Sequence, residues 1–397
     1  MTPVGNGKQA FFDNLIEGKS GIRPIAWDEP SGRFSHVAGS VAFDPQARFD
    51  KQECGNLDRA VQLAEIACAE AFADAGIEVN GKDRDRIGVY IGTGMGGACS
   101  LEEAYKQLLL RDPDRLKPLT VLTTMGNAAA AHIALKRGLA GPNLTFACAC
   151  SSSAVAIGEG YRRIKAGDCD VMVAGGTEAL LTYGVFKAWA ALRVLANVDP
   201  DDSSMSCKPF ARNRSGLVLA EGAGILILEA LDRASKRNAH VYAEIIGYAC
   251  TNDFSNIAKP SVEGQARALS YALQDAGVKP VDIDYINAHG TGTALNDVVE
   301  TQAIKQVFGD SAPDIPISST KSMHGHLMGA GGAVEFAAAL LAIEHQAIPP
   351  TAHLRVRDPE CDLDYVADGA RRGARVRTVM SNSFAFGGTN AILVARQ

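Results

Sequence analysis

Hydrophobic and polar positions follow two rhythms along this chain. Short, nearly continuous apolar runs bounded by turn residues read as buried strands. They fall at residues 86–92, 143–149, 170–175, 222–229, 241–249, 284–288 and 315–320. Two more, 377–383 and 391–395, are joined through the turn FAFGGTN and read as a pair. Between these runs apolar residues recur every three or four positions, which predicts helices. Leu57, Val61, Ala64, Cys68 and Ala71 make one such face, with Asn56 as its cap; Ala154, Ile157, Tyr161 and Ile164 make another; Ala266, Leu269, Ala272 and Leu273 a third. The alanine-rich stretch 118–135 and the almost wholly apolar stretch 331–343 are also predicted helical. Residues 1–55 are expected to mix turns with a short helix near Gln9. Strands alternate with helices in both halves, so the class is α/β with a largely parallel core. There is no direct sequence repeat, low-complexity segment or clear linker.

Composition narrows the possibilities. A chain of 397 residues, 47% hydrophobic and 21% charged, is ordinary for a globular protein. Its formal charge of -6 argues against nonspecific nucleic-acid binding. The densest basic stretch, Arg371, Arg372, Arg375 and Arg377, reads as a solvated loop. The nine cysteines lack the paired spacing of a disulfide framework or a zinc site, which suggests reduced thiols in the cytoplasm. The N-terminus has no signal pattern, and no apolar run reaches membrane-spanning length. No metal site is expected.

The candidate chemistry gathers where strands end. In TFACACSSSAVAIG, Cys150 follows an apolar run, three serines follow it, and a helix begins. A sulfur at a strand-to-helix corner lies against unpaired N–H groups and the positive end of a helix dipole. That field favours thiolate over thiol, so Cys150 is the expected nucleophile, and the serines are expected caps. NAHGTGT ends another strand at His289, and STKSMHGH a third at Lys321, His324 and His326. Ligands of open α/β sheets gather at the carboxyl ends of strands, so the sulfur and at least two imidazoles are expected in one cavity. GTGMGG matches G-x-G-x-x-G through Gly92, Gly94 and Gly97, with Asp112 downstream. A dinucleotide fingerprint should open its βαβ unit and lead straight into a helix. Here it lies deep in the chain and reads as a glycine turn beside the main site.

Four motifs in order, TFACACSSSAVAIG, NAHGTGTALNDVVE, SSTKSMHGHLMGAGGAVE and SNSFAFGGTNA, make the chain resemble a β-ketoacyl-[acyl-carrier-protein] synthase of the elongating Cys-His-His type. The resemblance spans essentially the whole chain. It implies the thiolase fold: two similar βαβαβαββ-like halves, 1–238 and 239–397, in a layered α-β-α-β-α arrangement. Cys150 would take an acyl group from a carrier-protein thioester, with its own N–H and that of Phe386 as the oxyanion hole. His289 and His326 would hold the malonyl thioester carbonyl while CO2 departs. Lys321 and Glu335 would orient or tune the histidines. Thr291 and Thr293 match hydroxyls that hold the pantetheine arm, and Phe386, beside Phe384, matches a gate between acyl and malonyl sites. Gly126 would line the acyl pocket. No cofactor is implied beyond that pantetheine arm, which belongs to the substrate. The implied partners are an acidic acyl carrier protein, docking on Lys208, Arg212 and Arg214, and a second copy in a homodimer.

Departures from the family pattern are specific. His324 stands where the pattern has Thr, Ala385 replaces a glycine beside the gate, and Gly292 replaces a small polar residue. The usual first strand does not precede Thr2, which would leave one sheet with an unpaired position. Three other readings compete. A non-catalytic chain-length-factor-like subunit would lack the cysteine. A thiolase would use a Cys-His-Cys set. A nucleotide-dependent oxidoreductase would rest on GTGMGG alone.

Overall fold

The computed structural model describes residues 1–29, 32–81 and 83–397. An antiparallel pair comes first, β1 (Ile22–Glu29) and β2 (Gly32–Gly39). The sequence reading placed only turns and a helix here, because Pro24 and scattered polar residues obscure any alternation. The first main sheet is built from β3 (Ile87–Gly92), β4 (Asn143–Phe146), β5 (Val171–Glu178) and β6 (Gly222–Glu229), in the order β4-β3-β5-β6. The second is built from β7 (Glu244–Asn252), β8 (Tyr285–Asn287), β9 (Ile317–Ser318), β12 (Thr378–Phe384) and β13 (Thr389–Arg396), in the order β7-β13-β12-β8-β9. A short antiparallel pair, β10 (Ala347–Ile348) and β11 (Arg371–Arg372), lies outside them, so part of the expected basic loop is strand.

Both sheets are mixed, which corrects the expectation of a largely parallel core. β3 runs parallel to β4 and β5, and β8 parallel to β9 and β12. β6, β13 and β7 run antiparallel to their neighbours. The link from β12 to β13 is too short for a crossover and can only join antiparallel strands. β4 ends sooner than expected and is exposed or half-buried rather than buried, because it is an edge strand.

Thirteen α-helices accompany the sheets among the described residues. They are α1 (Lys8–Ile16), α2 (Lys51–Asn56), α3 (Arg59–Ala75), α4 (Ala98–Lys106), α5 (Thr120–Thr124), α6 (Ala128–Arg137), α7 (Ser152–Lys165), α8 (Tyr183–Ala191), α9 (Leu231–Lys236), α10 (Val262–Ala276), α11 (Asn296–Phe308), α12 (Lys321–His324) and α13 (Gly331–His345). Two expectations are corrected. Asn56 ends α2, and Asp58 caps α3 by accepting from Ala60 N–H. The stretch 118–135 breaks at Met125–Asn127 into α5 and α6. None of these helices is long and apolar enough to cross a membrane.

Helices α3 and α6 cover the outer face of the first sheet, and α10 that of the second, with α11 packed against α10. Between the sheets lie α7 and α13. The result is the layered α-β-α-β-α thiolase-type arrangement. Sandwiched between two sheets, α13 buries nearly every residue from Gly331 to Ile343, which is why its sequence lacks a polar face. Helix α7 approaches β7 so closely that a Cβ on Gly158 would lie 2.2 Å from the Tyr248 ring.

The sheets differ at one edge. In the second, β7 pairs along the outer edge of β13. In the first, Met1 makes one rung against the matching edge of β6: its amine donates to Ala223 O (3.0 Å) and its carbonyl accepts from Ala223 N (2.9 Å). Beyond that rung a cavity of about 620 Å³ follows β6, lined by Tyr161, Ile225, Ile227, Ala243, Phe336 and Leu340.

Candidate active site

The Cys150 turn is built by backbone strain and bracing hydroxyls. Cys150 sits in a single 3-10 turn, Ala149–Ser151, that runs directly into α7. Ala149 has a φ of 49°, a left-handed conformation that side-chain-bearing residues rarely adopt. The serines brace this turn instead of capping the helix. Ser152 Oγ accepts from Cys148 N (2.9 Å) and donates to Ala149 O (2.7 Å), while Ser151 Oγ donates to Cys148 O (2.9 Å). Ser153 Oγ accepts from Ala333 N (2.9 Å), tying the start of α7 to the start of α13. Cys150 is only 6% exposed. Burial pushes its thiol up to about 12, against the pull of the Lys321 charge and the Phe386 N–H. The expected lowering of this thiol is therefore corrected: desolvation outweighs the favourable field.

Two imidazoles face the sulfur. His326 Nε2 lies 3.1 Å from Cys150 Sγ, and Met328 N–H donates to His326 Nδ1 (3.3 Å). The His326 backbone is fixed by Val218 O (2.7 Å) and Ala220 N (2.9 Å). His289 follows β8, and its N–H and that of Gly290 donate to Glu300 at 2.8 Å each. Lys321 Nζ lies 2.5 Å from Glu335, 2.6 Å from His289 O and 3.3 Å from His289 Nδ1, one acceptor for each ammonium hydrogen. Each Nδ1 thus receives a donor, which assigns the ring proton to Nε2 in both histidines. Burial first, then the Lys321 charge, holds both imidazoles well below their usual range, so they are neutral. The rings stand 5.4 Å apart at 81°, and one ligand atom from each of Cys150, His289 and His326 lies within 4.8 Å of the others. Burial raises the Glu335 carboxyl while Lys321 pulls it down. His324 is spent elsewhere, on Thr320 Oγ1 (2.9 Å) and Gly325 O (2.6 Å).

The other sequence candidates divide. Phe386 N–H bonds the Cys150 sulfur, and its ring stacks on Trp189 at 6.0 Å. Phe384 meets His289 edge-on at 5.9 Å. The Thr291 and Thr293 hydroxyls lie 2.9 Å apart, just beyond His289. Gly126 stands at the surface against Gly96, and a Cβ there would meet nothing within 4 Å. The basic trio does not form a patch. Arg214 is buried against Asp358 and the carbonyls of Ala211, Thr293 and Ala294, anchoring the loop after His289. Lys208 is paired with Asp199 at 2.5 Å, which leaves Arg212 as the exposed member.

Sequence reasoning missed the buried carboxylates that hold the loops. Glu300 gathers the N–H groups of His289 and Gly290 and the Asn382 amide (3.1 Å). Asp297 gathers the N–H groups of Phe210 (2.7 Å), Thr291 (3.1 Å) and Gly292 (3.2 Å). Glu178 gathers those of Gly94 (2.5 Å), Met95 (3.1 Å) and Gly329 (3.0 Å). The available signal was an acid beside a glycine-rich turn: Asp297 and Glu300 follow HGTGT, and Glu178 follows the apolar VMVAGGT. GTGMGG is the turn that Glu178 pins beside the start of α7.

Residues 1–234 match the family described as Beta-ketoacyl synthase, N-terminal domain, and residues 242–355 match Beta-ketoacyl synthase, C-terminal domain. The chain is 40% identical over 400 residues to a 3-oxoacyl-[acyl-carrier-protein] synthase 2 of Staphylococcus aureus (strain N315), covering 100% of this chain and 96% of that one. It is 41% identical over 400 residues, with the same coverage, to the protein of that name from Synechocystis sp.. Among solved structures it superposes with a TM-score of 0.90, at 33% identity over 100% of this chain and 96% of the other, on AntDE:AntF, a type II PKS acyl-carrier protein in complex with its ketosynthase bound to the hexaketide. By sequence along its length, by fold and by the order of its motifs, the chain belongs to the β-ketoacyl synthase family.

Proposed function

We propose that this protein is a condensing acyltransferase. It joins an acyl group carried on Cys150 to the two-carbon unit of malonyl-[acyl-carrier-protein], giving 3-oxoacyl-[acyl-carrier-protein] and CO2, in fatty-acid or related polyketide or aryl-polyene assembly. The observation that carries this reading is the pair of neutral imidazoles, each with its proton on Nε2, beside one cysteine sulfur. The names of its relatives support the substrate class.

In the first half-reaction the Cys150 sulfur attacks an acyl thioester, and the thiol proton leaves with the departing pantetheine thiol. The developing oxyanion is held by the N–H groups of Cys150 and Phe386; donors of this kind typically contribute about 3 kcal/mol each. In the second, the Nε2–H groups of His289 and His326 donate to the malonyl thioester oxygen. The electrons released as CO2 departs then collect on that oxygen as an enolate. Its carbon attacks the acyl-Cys150 carbonyl, and Cys150 leaves as a thiolate that takes a proton from solvent. Lys321 and Glu335 keep Nδ1 of His289 occupied. Thr291 and Thr293 are suited to bind pantetheine, and Phe386 and Phe384 to flank the acyl entrance; Gly126, expected to line the acyl pocket, stands at the surface of the single chain. No cofactor is needed, because the pantetheine arm arrives with the substrate.

The division of labour follows the halves: 1–238 supply the nucleophile and 239–397 the histidines. An acyl carrier protein is the partner, with exposed Arg212 as a contact. A homodimer is favoured by the exposed edge strand β4 and by Leu109, Leu110 and Val121, which are 78%, 63% and 73% exposed. The cytoplasm suits nine cysteines with no disulfide.

The test is mass spectrometry of Cys150 after mixing with acyl carriers, alongside CO2 release from malonyl carrier. Wild-type protein should gain one acyl mass, Cys150→Ala none. His289→Ala and His326→Ala should each cut decarboxylation by 100-fold or more, in line with single oxyanion donors. Chain elongation by Cys150→Ala would reject the assignment.

A further inference from the structure

Glu178 ends β5 with its carboxylate wholly buried, and no step above uses it. Four donors converge on it: the N–H groups of Gly94 (2.5 Å), Met95 (3.1 Å) and Gly329 (3.0 Å), and the Thr93 hydroxyl (3.2 Å). Three belong to the GTGMGG turn; the fourth belongs to the turn that follows His326. The two turns close on the carboxylate without slack. A Cβ on Gly94 would lie 2.7 Å from its oxygen, and one on Gly329 would lie 2.6 Å from that oxygen and 2.4 Å from Gly94 N. The same turn carries Met328, held at a φ of 47°. That conformation is disfavoured for a residue with a side chain and persists only where its surroundings over-determine it. Met328 N–H is the donor to His326 Nδ1.

We propose that Glu178 is a positioning residue for His326: by anchoring Gly329 to the GTGMGG turn it holds Met328 N–H against Nδ1 and keeps the imidazole proton on Nε2, facing Cys150. An ionised carboxylate suits the task because it only accepts, and every group around it donates. Burial pushes this carboxyl up to about 7, and the same four bonds pull it back toward ionisation. The assignment also explains GTGMGG. The glycines at 94 and 96 let the backbone turn its N–H groups inward on an acid of the protein itself, where a nucleotide-binding turn would present them to a phosphate.

The test replaces Glu178 by Gln, which keeps the shape but sets an NH2 group against backbone donors. Nitrogen-15 NMR of histidine-labelled protein reads which ring nitrogen of His326 carries the proton. Wild type should show the Nε2–H form alone. Glu178→Gln should add a second, Nδ1–H population at His326, with the His289 signals unmoved. Decarboxylation of malonyl carrier should lose at least tenfold in kcat with KM within twofold. A His326 that stays entirely Nε2–H, or a variant that changes KM alone, would overturn the proposal. Should Glu178→Gln fail to fold, Thr93→Val removes one of the four bonds and should shift the His326 ratio the same way; an unchanged ratio counts against the proposal. The effect on rate rests on the condensing function proposed above, but the NMR readout needs no substrate, so failure of the one is distinguishable from failure of the other.

Discussion

Cys150, His289 and His326 share a pocket in which burial drives each toward its neutral form, the thiol upward and the imidazoles downward. Two neutral donors beside a neutral thiol suit a reaction whose charge appears only in transit. The buried carboxylates follow the same rule, although the donors around each oppose it. Glu178 and Glu300 are both pushed up to about 7 from 4.5. Between those values the folded protein keeps protons that the unfolded chain has released. The stability this confers is therefore complete below about pH 4.5 and lost as pH rises through 7. Each group contributes on the order of 3 kcal/mol to that slope. Urea unfolding of wild type, Glu178→Gln and Glu300→Gln at pH 5 and pH 8 should show a smaller pH dependence in each variant. Slopes identical to wild type would show that these carboxyls do not titrate in that window.

At the scale of elements, α7 and α13 carry the site because both are held between sheets and joined at their first turns by Ser153. Gly158 lies inside α7, where glycine costs about 1 kcal/mol relative to alanine. Its use is explained by the Tyr248 ring, which fills the space a Cβ would need. Gly158→Ala should destabilise the protein by about 1–3 kcal/mol, the usual penalty of overpacking. Adding Tyr248→Leu should recover part of the loss in a double-mutant cycle, and strictly additive effects would refute the contact. The apolar periodicity of α7 and the unbroken apolarity of α13 made both helices legible in the sequence. The break at Met125–Asn127 falls on Gly126 and Asn127, two poor helix formers, and was masked by the alanine run that follows them.

For the whole molecule, the comparison between the two sheets is the informative one. β13 is covered by β7 along its length, whereas a cavity follows β6 past its rung with Met1. Burying an extended apolar segment there would complete the sheet and satisfy an edge. A synthetic peptide with the β7 sequence, Glu244 to Cys250, added in trans should raise the melting temperature by a few degrees and protect the Ile225 and Ile227 amides from exchange. An unchanged melting temperature would show that the cavity does not accept a strand.

The sequence by itself determined the alternation of strands and helices, and that Cys150 would meet His289 and His326 rather than His324. These are local matters, written in apolar periodicity and in reactive residues at strand ends. His324 and His326 are two positions apart, and their spacing from Lys321 already distinguished them. Only the tertiary structure decided the antiparallel placing of β6 and β7, the raised Cys150 thiol, the burial of the Arg214 side chain and the carboxylates that clamp the loops. Each depends on what lies across space: a neighbouring strand, a desolvating wall, or a backbone N–H from a turn far along the chain. Glu178 and Gly329 are 151 residues apart and 3.0 Å from touch, a proximity that no local pattern encodes.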